Sequence, residues 1–505
     1  MNGRVEAGWA GPVPFTSRQA PMATLGGEAQ FIRWGVLACA GVLLAIPFGT
    51  FVEWPPDVVV LGTAVGLFFL AAHGYSLSKR QGENVWLAPV SLLGMFFFFK
   101  YGWGALVVYY WDVFPWETVP AEAGYFLRNG VKDNLPRAAH LMLLGGLGIY
   151  LGASGTMPAI TRWLPSLKWP FDESKFQHNL ILATPIALLV FIGMRPYLPA
   201  VIRDTVLHMG WIVWVFIVIA SYRLFLIPSD QRRTAWTIFL VAVTLVHAIL
   251  GFQTGMRGNF LYPLFLISLG YVIARGSVPW RLLLPVVLLL GLVAIPWLSA
   301  YKQAVMGESA YAESMNARLL HANELYEVLD LRGSLESSLV NTAGRFAGSS
   351  AGALAVFSQF YPEPYPFEKG HTFVLELTQL MPRVVWPDKP NLSFELNQYT
   401  RAVHLLPEAN PDDPGTTSAT FDAISEYYLN FGALGVFLFS VLHGYFLKVL
   451  YYWLVRRSHY EIGAAMYLVF FFLNPDFLGI GNISVSATRL LVAWPVMFWV
   501  MSRKT

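Results

Sequence analysis

Val58 to Leu77 reads VVVLGTAVGLFFLAAHGYSL, without one Asp, Glu, Lys or Arg. A hydrocarbon core takes about 20 helical residues to cross, and this stretch is long enough. Comparable runs recur along the 505-residue chain, which is 55% hydrophobic and only 13% charged, against about a quarter charged in a soluble protein. The sequence therefore predicts an all-α polytopic membrane protein. Its single cysteine, Cys39, lies inside an apolar run, which excludes a disulfide framework and a cysteine metal site.

Spans are expected at about 34–52, 58–77, 86–109, 138–154, 179–194, 206–226, 236–254, 260–274, 281–300, 424–454, 461–480 and 484–501. That is about twelve, with both termini on one side. Residues 1–30, rich in Gly, Ala and Pro, read as a disordered cytoplasmic N-terminus. Residues 31–300 hold the first nine spans, 301–423 form one large polar loop, and 424–505 hold the last three. One set of short connections carries Arg18 and Arg33, Lys79 and Arg80, Arg162, Lys168 and Lys175, Arg232 and Arg233, Arg275 and Arg281, Arg456 and Arg457, and Arg503 and Lys504. Of the opposite short loops, 53–57 holds no basic residue and 195–205 holds at most Arg195 and Arg203. By the positive-inside rule the basic set faces the cytoplasm. The 301–423 loop then faces outward, which in a bacterium is the periplasm.

That loop concentrates Arg318, Arg332, Arg345, Arg383, Arg401 and His371, a set suited to an anionic ligand at the bilayer surface. Within it, 313–329 and 335–360 read as amphipathic helices. Gly344, Gly348 and Gly352, at i, i+4 and i+8, let the second approach another backbone closely. Residues 361–370 and 405–415 read as Pro-rich turns. Below the loop, Arg257 is flanked by glycines in Thr254-Gly-Met-Arg-Gly-Asn259. A charge there is costly unless it serves a lipid-linked phosphate or reaches headgroups, and a guanidinium fork suits a phosphate. Prolines stiffen the segment that carries Arg383 and Lys389. Imidazole is the usual general base near neutral pH, which makes His371 a candidate for that role. Asp422 and Glu426, at i and i+4, share a face at the start of the tenth span, either as favourable charges at a helix N-terminus or as a base at the membrane surface. Lys100 and Arg489 lie inside spans, where a buried carboxylate such as Asp476 is a candidate partner. The sequence holds no Walker loop and no His-x-x-x-His pair, so neither a nucleotide cofactor nor a metal is expected.

Three segments together resemble the bacterial Wzy-type polysaccharide polymerases, which are related to the O-antigen ligases. They are Thr254-Gly-Met-Arg-Gly258, Met381-Pro-Arg-Val-Val-Trp-Pro-Asp-Lys-Pro390 and Glu426-Tyr-Tyr-Leu-Asn-Phe-Gly-Ala-Leu-Gly435. The late, large outer loop fits the same plan. The resemblance implies a GT-C-like fold in the bacterial inner membrane. It also implies polymerisation of undecaprenyl-pyrophosphate-linked repeat units, without metal or other cofactor. Arg257, Arg345, Arg383 and Lys389 would bind the pyrophosphate, and His371 or Glu426 would act as base. Trp386, Tyr361, Tyr365 and Tyr399 would stack on sugars. Expected partners are the lipid-linked glycans, membrane lipids, a chain-length regulator and a flippase, and not nucleic acid. Ligases usually carry a histidine ahead of the Gly-x-x-Gly span, about where Phe421 stands here. A ligase-type transferase is one alternative. A polysaccharide or lipid transporter is another, although transporters usually show paired broken helices.

Overall fold

A computed structural model describes residues 55–110, 131–154, 159–167, 173–190, 210–226, 233–253, 257–281, 347–378, 392–403 and 422–472, together with positions 194, 283, 284, 381, 386, 388 and 390. The described residues are mostly helical and contain no strand. The principal helices are α1 (Pro56–Arg80), α2 (Pro89–Tyr109), α3 (Val131–Ser154), α4 (Glu173–Leu188), α5 (Trp211–Leu226), α6 (Arg233–Gln253) and α7 (Arg257–Arg275). They continue with α8 (Ala353–Phe360), α9 (His371–Leu377), α10 (Leu392–Ala402), α11 (Ala423–Tyr451) and α12 (Tyr460–Phe472). Three stretches, Pro56–Arg80, Pro89–Tyr109 and Ala423–Arg456, are long and apolar enough to cross a membrane. Their outer faces have the character of lipid-facing surface. Leu434, Leu438 and Leu442, at i, i+4 and i+8 along α11, are exposed, as are Leu61, Val65 and Phe68 on α1. A helix against water would carry charge there. The expected spans at 34–52 and 484–501, and most of 281–300, lie outside the described residues.

Small residues bring the central helices together. A Cβ on Gly148 of α3 would sit 2.8 Å from the Phe437 carbonyl oxygen, and one on Gly152 would meet the backbone of Val441 and Tyr445. From the other side, a Cβ on Gly444 of α11 would meet Ile149 and Ala153 of α3. This reciprocal packing is the close approach that small residues permit between membrane helices. The same device joins α7 to α5, where Gly270 faces Ser221, and the Ser221 hydroxyl donates to the Ile267 carbonyl at 2.7 Å. Helix α5 is buried nearly all round, as expected of a helix without a polar face. It carries Arg223, paired with Glu461 of α12 and lying over the Phe176 ring at 5.3 Å.

Part of the polar loop is core. The sequence reading put 335–360 in the loop as an amphipathic helix. The structure instead buries Ala351, Leu354, Ala355 and Phe357 completely, and α8 packs against α3. It is preceded by a π-helical turn, Ala347–Gly352, next to another, Phe98–Trp103, inside α2. The Ser350 hydroxyl donates to the Lys100 carbonyl at 3.1 Å. The expected close approach of this glycine-rich segment to another backbone is therefore present, with α2 as the partner.

The second departure is at Gly432, whose φ of 64° and ψ of −155° break α11. The break is a reversal. Tyr427 and His443, sixteen positions apart, hydrogen-bond through Oη and Nδ1 at 3.0 Å. The Phe431 and Phe439 rings stack at 5.3 Å, and Ile424 reaches Gly145 beside Ser440. On a straight helix Tyr427 and His443 would be about 24 Å apart. Residues 423–431 therefore form a short leg that folds back along the long leg and carries Asp422 to the level of Lys100 in mid-α2.

Among the described residues, the connections at 79–84, 161–164 and 456–457 and the end of α7 meet at one end of the bundle. Arg456 donates to Glu83 at 2.9 Å, Arg457 to the Thr161 carbonyl at 2.8 Å and Asn84 to the Val272 carbonyl at 3.3 Å.

Enlarging Gly152 tests the α3–α11 crossing. Gly152→Leu is expected to destabilise by about 1–3 kcal/mol, the usual cost of overpacking. Gly62, whose Cβ position meets nothing within 4 Å, is the control. Thermal loss of the monodisperse peak in detergent should come at lower temperature for Gly152→Leu and be unchanged for Gly62→Ala.

Candidate functional site at the junction of loop and bundle

The reversal at Gly432 releases carbonyls from the helical ladder, and the loop supplies their donors. The backbone N–H groups of Glu368 and Lys369 donate to the carbonyls of Leu429 and Asn430, both at 3.0 Å. The Gly370 N–H donates to Asn430 Oδ1 at 2.8 Å. Phe367 covers Gly432 so closely that a Cβ there would lie 2.9 Å from its ring. Asn430 also uses its amide nitrogen, donating to Thr372 Oγ1 at 2.6 Å and to the Glu426 carbonyl at 2.9 Å. The Thr372 hydroxyl in turn donates to Glu426 Oε1 at 2.9 Å. The Tyr428 hydroxyl donates to the Tyr361 carbonyl at 2.8 Å. Segment 361–372 is thus a strap stitched to the short leg.

Under the strap, ionisable side chains are buried. Asp422 caps the short leg by accepting the Ser425 N–H at 2.9 Å, as N-cap residues do. Its other oxygen lies 4.0 Å from Lys100 Nζ. Glu376, Asp422 and Glu426 all lie within electrostatic reach of Tyr427. Among the described residues no three His, Cys, Asp or Glu side chains gather as a metal-binding group.

The exposed side of the junction carries His371. It opens α9 and is exposed. Its Nδ1 lies 2.8 Å from the Tyr399 hydroxyl of α10. That hydroxyl also reaches Glu368 Oε2 at 3.4 Å. Burial first, then the charge of Glu368, pushes the Tyr399 phenol up to about 12.

Of the residues expected to act, Glu426 and His371 lie near one another along α9 and the short leg but in opposite surroundings. Glu426 was expected at the membrane surface. It is 1% exposed and receives the Thr372 hydroxyl, which makes it an anchor of the strap, because the reversal turns its helix inward. Tyr361, expected to stack on sugars, is 2% exposed and packs in the core. Tyr365 and Tyr399 are half-buried, and Trp386 is exposed. Lys100 lies beside Asp422, while Asp476 lies outside the described residues. Arg257 begins α7, and its side chain lies outside the described residues, as do Arg345, Arg383, Lys389 and Arg489.

Sequence reasoning missed Thr372, Asn430 and Glu368, and took Tyr399 for a sugar-stacking ring rather than the partner of His371. It had one usable signal for the reversal. The 34-residue stretch Ala423–Arg456, if straight, would run about 51 Å, well beyond a hydrocarbon core of about 30 Å. Gly348-Ser-Ser-Ala-Gly352 has the spacing of a nucleophile elbow, but Ser350 is fully buried in a π-helical turn rather than exposed on a strand-to-helix turn.

No known family, curated protein or solved structure matches this chain. The fold itself places it in a class, that of all-α proteins with helices apolar enough to cross a membrane.

The strap can be tested directly. Thr372→Val removes a donor to a buried carboxylate and is expected to cost about 1–3 kcal/mol. Gly432→Ala adds a strained positive φ and a clash with Phe367. Both variants should show faster proteolysis between residues 361 and 378 than the parent, read by mass spectrometry of the fragments.

Proposed function

We propose that the protein is an outward-facing membrane glycosyltransferase that polymerises lipid-linked oligosaccharide repeat units. The observation that carries this reading is the solvent-facing His371 imidazole, held where the loop strap is stitched to a membrane helix. Such a base at a bilayer surface suits a reaction between two lipid-anchored substrates. The resemblance in the Arg257, Arg383 and Glu426 segments supports the same reading, as does the expected GT-C-like arrangement of about twelve spans in a bacterial inner membrane, with both termini cytoplasmic.

In this reaction a sugar hydroxyl of the incoming unit attacks the anomeric carbon of the growing chain. The bond from that carbon to the undecaprenyl pyrophosphate oxygen breaks, and the hydroxyl proton passes to His371 Nε2. The donor is already activated, so no nucleotide is consumed. Arg257, Arg345, Arg383 and Lys389 would neutralise charge on the departing pyrophosphate. Donors of that kind, removed singly, cost about 3–4 kcal/mol in a dehydrated site. Glu426 is assigned here to anchoring the strap, and the base is His371, because only His371 is accessible to a substrate. A chain-length regulator and a flippase are the expected partners.

One observation favours the transporter reading: broken helices and buried charges also line transport paths, and the short leg with Lys100 and Asp422 has both. Protein in nanodiscs, given purified lipid-linked repeat unit, separates the two. Elongation to a ladder supports the polymerase, whereas flipping in vesicles without elongation rejects it. His371→Ala should lower the elongation rate about 10²-fold or more, the usual worth of a positioned base. Arg257→Ala, Arg345→Ala and Arg383→Ala should each lower it to a similar degree. If all three arginine variants still build full-length polymer, the pyrophosphate assignment fails.

A further inference from the structure

His371, Tyr399 and Glu368 form a hydrogen-bonded chain across two segments: Glu368 and His371 lie three positions apart in the strap, and Tyr399 comes from α10, 28 positions beyond His371. Nδ1 of His371 is 2.8 Å from Tyr399 Oη, and Oη is 3.4 Å from Glu368 Oε2. A phenol has one proton to give, and an ionised carboxylate has none. If Tyr399 gave its proton to His371, a phenol lone pair would face the carboxylate. The arrangement with every group satisfied runs one way: Nδ1–H donates to Oη, and Oη–H donates to Oε2. The Tyr399 phenol, raised to about 12 by burial, Glu368 and then Glu395, keeps its proton at neutral pH.

The chain is fixed at its base. The Glu368 N–H is bonded to the Leu429 carbonyl released by the helix reversal, and the Glu368 carbonyl accepts the His371 N–H at 3.0 Å. Tyr365 of the strap donates to the Ala402 carbonyl at the end of α10 at 3.3 Å, which ties α10, and with it Tyr399, to the strap.

We propose that Tyr399 and Glu368 are positioning residues that hold neutral His371 in the Nδ1–H tautomer, leaving Nε2 bare and directed to solvent as the proton acceptor. The catalytic use of that nitrogen rests on the glycosyltransferase reading; the tautomer does not. Setting one ring nitrogen by the bond made at the other is the usual way a protein assigns histidine tautomers.

The test is nitrogen NMR of the full chain labelled at histidine, in nanodiscs at a pH where the imidazole is neutral. The His371 signal is identified as the one missing from His371→Gln. The expected wild-type result is a protonated Nδ1 and a bare Nε2. In Tyr399→Phe and in Glu368→Gln the ring should move toward the Nε2–H form that a free imidazole prefers. A wild-type ring already in the Nε2–H form overturns the proposal, as does an unchanged tautomer in both variants. Elongation assays add a second readout. Tyr399→Phe should lower kcat about ten-fold, part of the full worth of a base, with KM unchanged. The expected tautomer in a protein that never elongates glycan would keep the positioning role and remove the polymerase. Elongation by a protein with the other tautomer would do the reverse.

Discussion

The backbone of Gly432 governs this structure. A positive φ in the middle of an apolar helix is tolerated by glycine and by few other residues. The break frees carbonyls that would otherwise be satisfied along the helix, and a buried unpaired carbonyl costs free energy comparable to a lost hydrogen bond. The bundle cannot hold the reversal unless donors arrive from elsewhere. Glu368 and Lys369 bring them, and Gly370 holds the Asn430 side chain beside them. The position of the strap, and through it of α9, therefore follows from one dihedral angle.

The reversal also determines where charge sits. The short leg carries Asp422 and Glu426 among apolar helices, where ionised groups are costly. Each is tied down, Asp422 by the Ser425 amide and proximity to Lys100, and Glu426 by Thr372. Irregular backbone among apolar helices survives where protein surrounds it, and both the π-helical turn at Ala347–Gly352 and the short leg are enclosed in this way. The result is a polar interior roofed by the strap, with His371 on the solvent side of that roof.

Much of the fold was legible in the sequence. Runs such as 58–77 announce helices because membrane helices need length and apolarity more than pattern, and the ends of α6 and α7 fall close to those expected. The reversal was not legible, because Gly432 sits in an apolar run in which any glycine reads as a packing residue. The loop helix at 347–360 was misjudged for a related reason. Its Gly, Ser and Ala content lowers apparent hydrophobicity, although small residues are what let it lie among the spans. At the candidate site, His371 was visible by its chemistry, but Glu368 was not, and Tyr399 was read only as a ring for stacking on sugars. Their significance arises from a contact across 28 positions in one case and 31 in the other, and no local pattern encodes it. Glu426 misled because i, i+4 spacing from Asp422 shows which face two residues share and not what that face meets.

The short leg also carries a consequence for biogenesis. To the insertion machinery, Ala423–Arg456 is a single continuous apolar stretch. The strap that satisfies its broken turn is synthesised earlier and lies on the preceding segment of chain. The leg can therefore fold back only after residues 367–372 are in place to receive it. Insertion of this helix and closure of the loop are then one event, and a fault in either should be recognised by quality control as a fault in membrane topology.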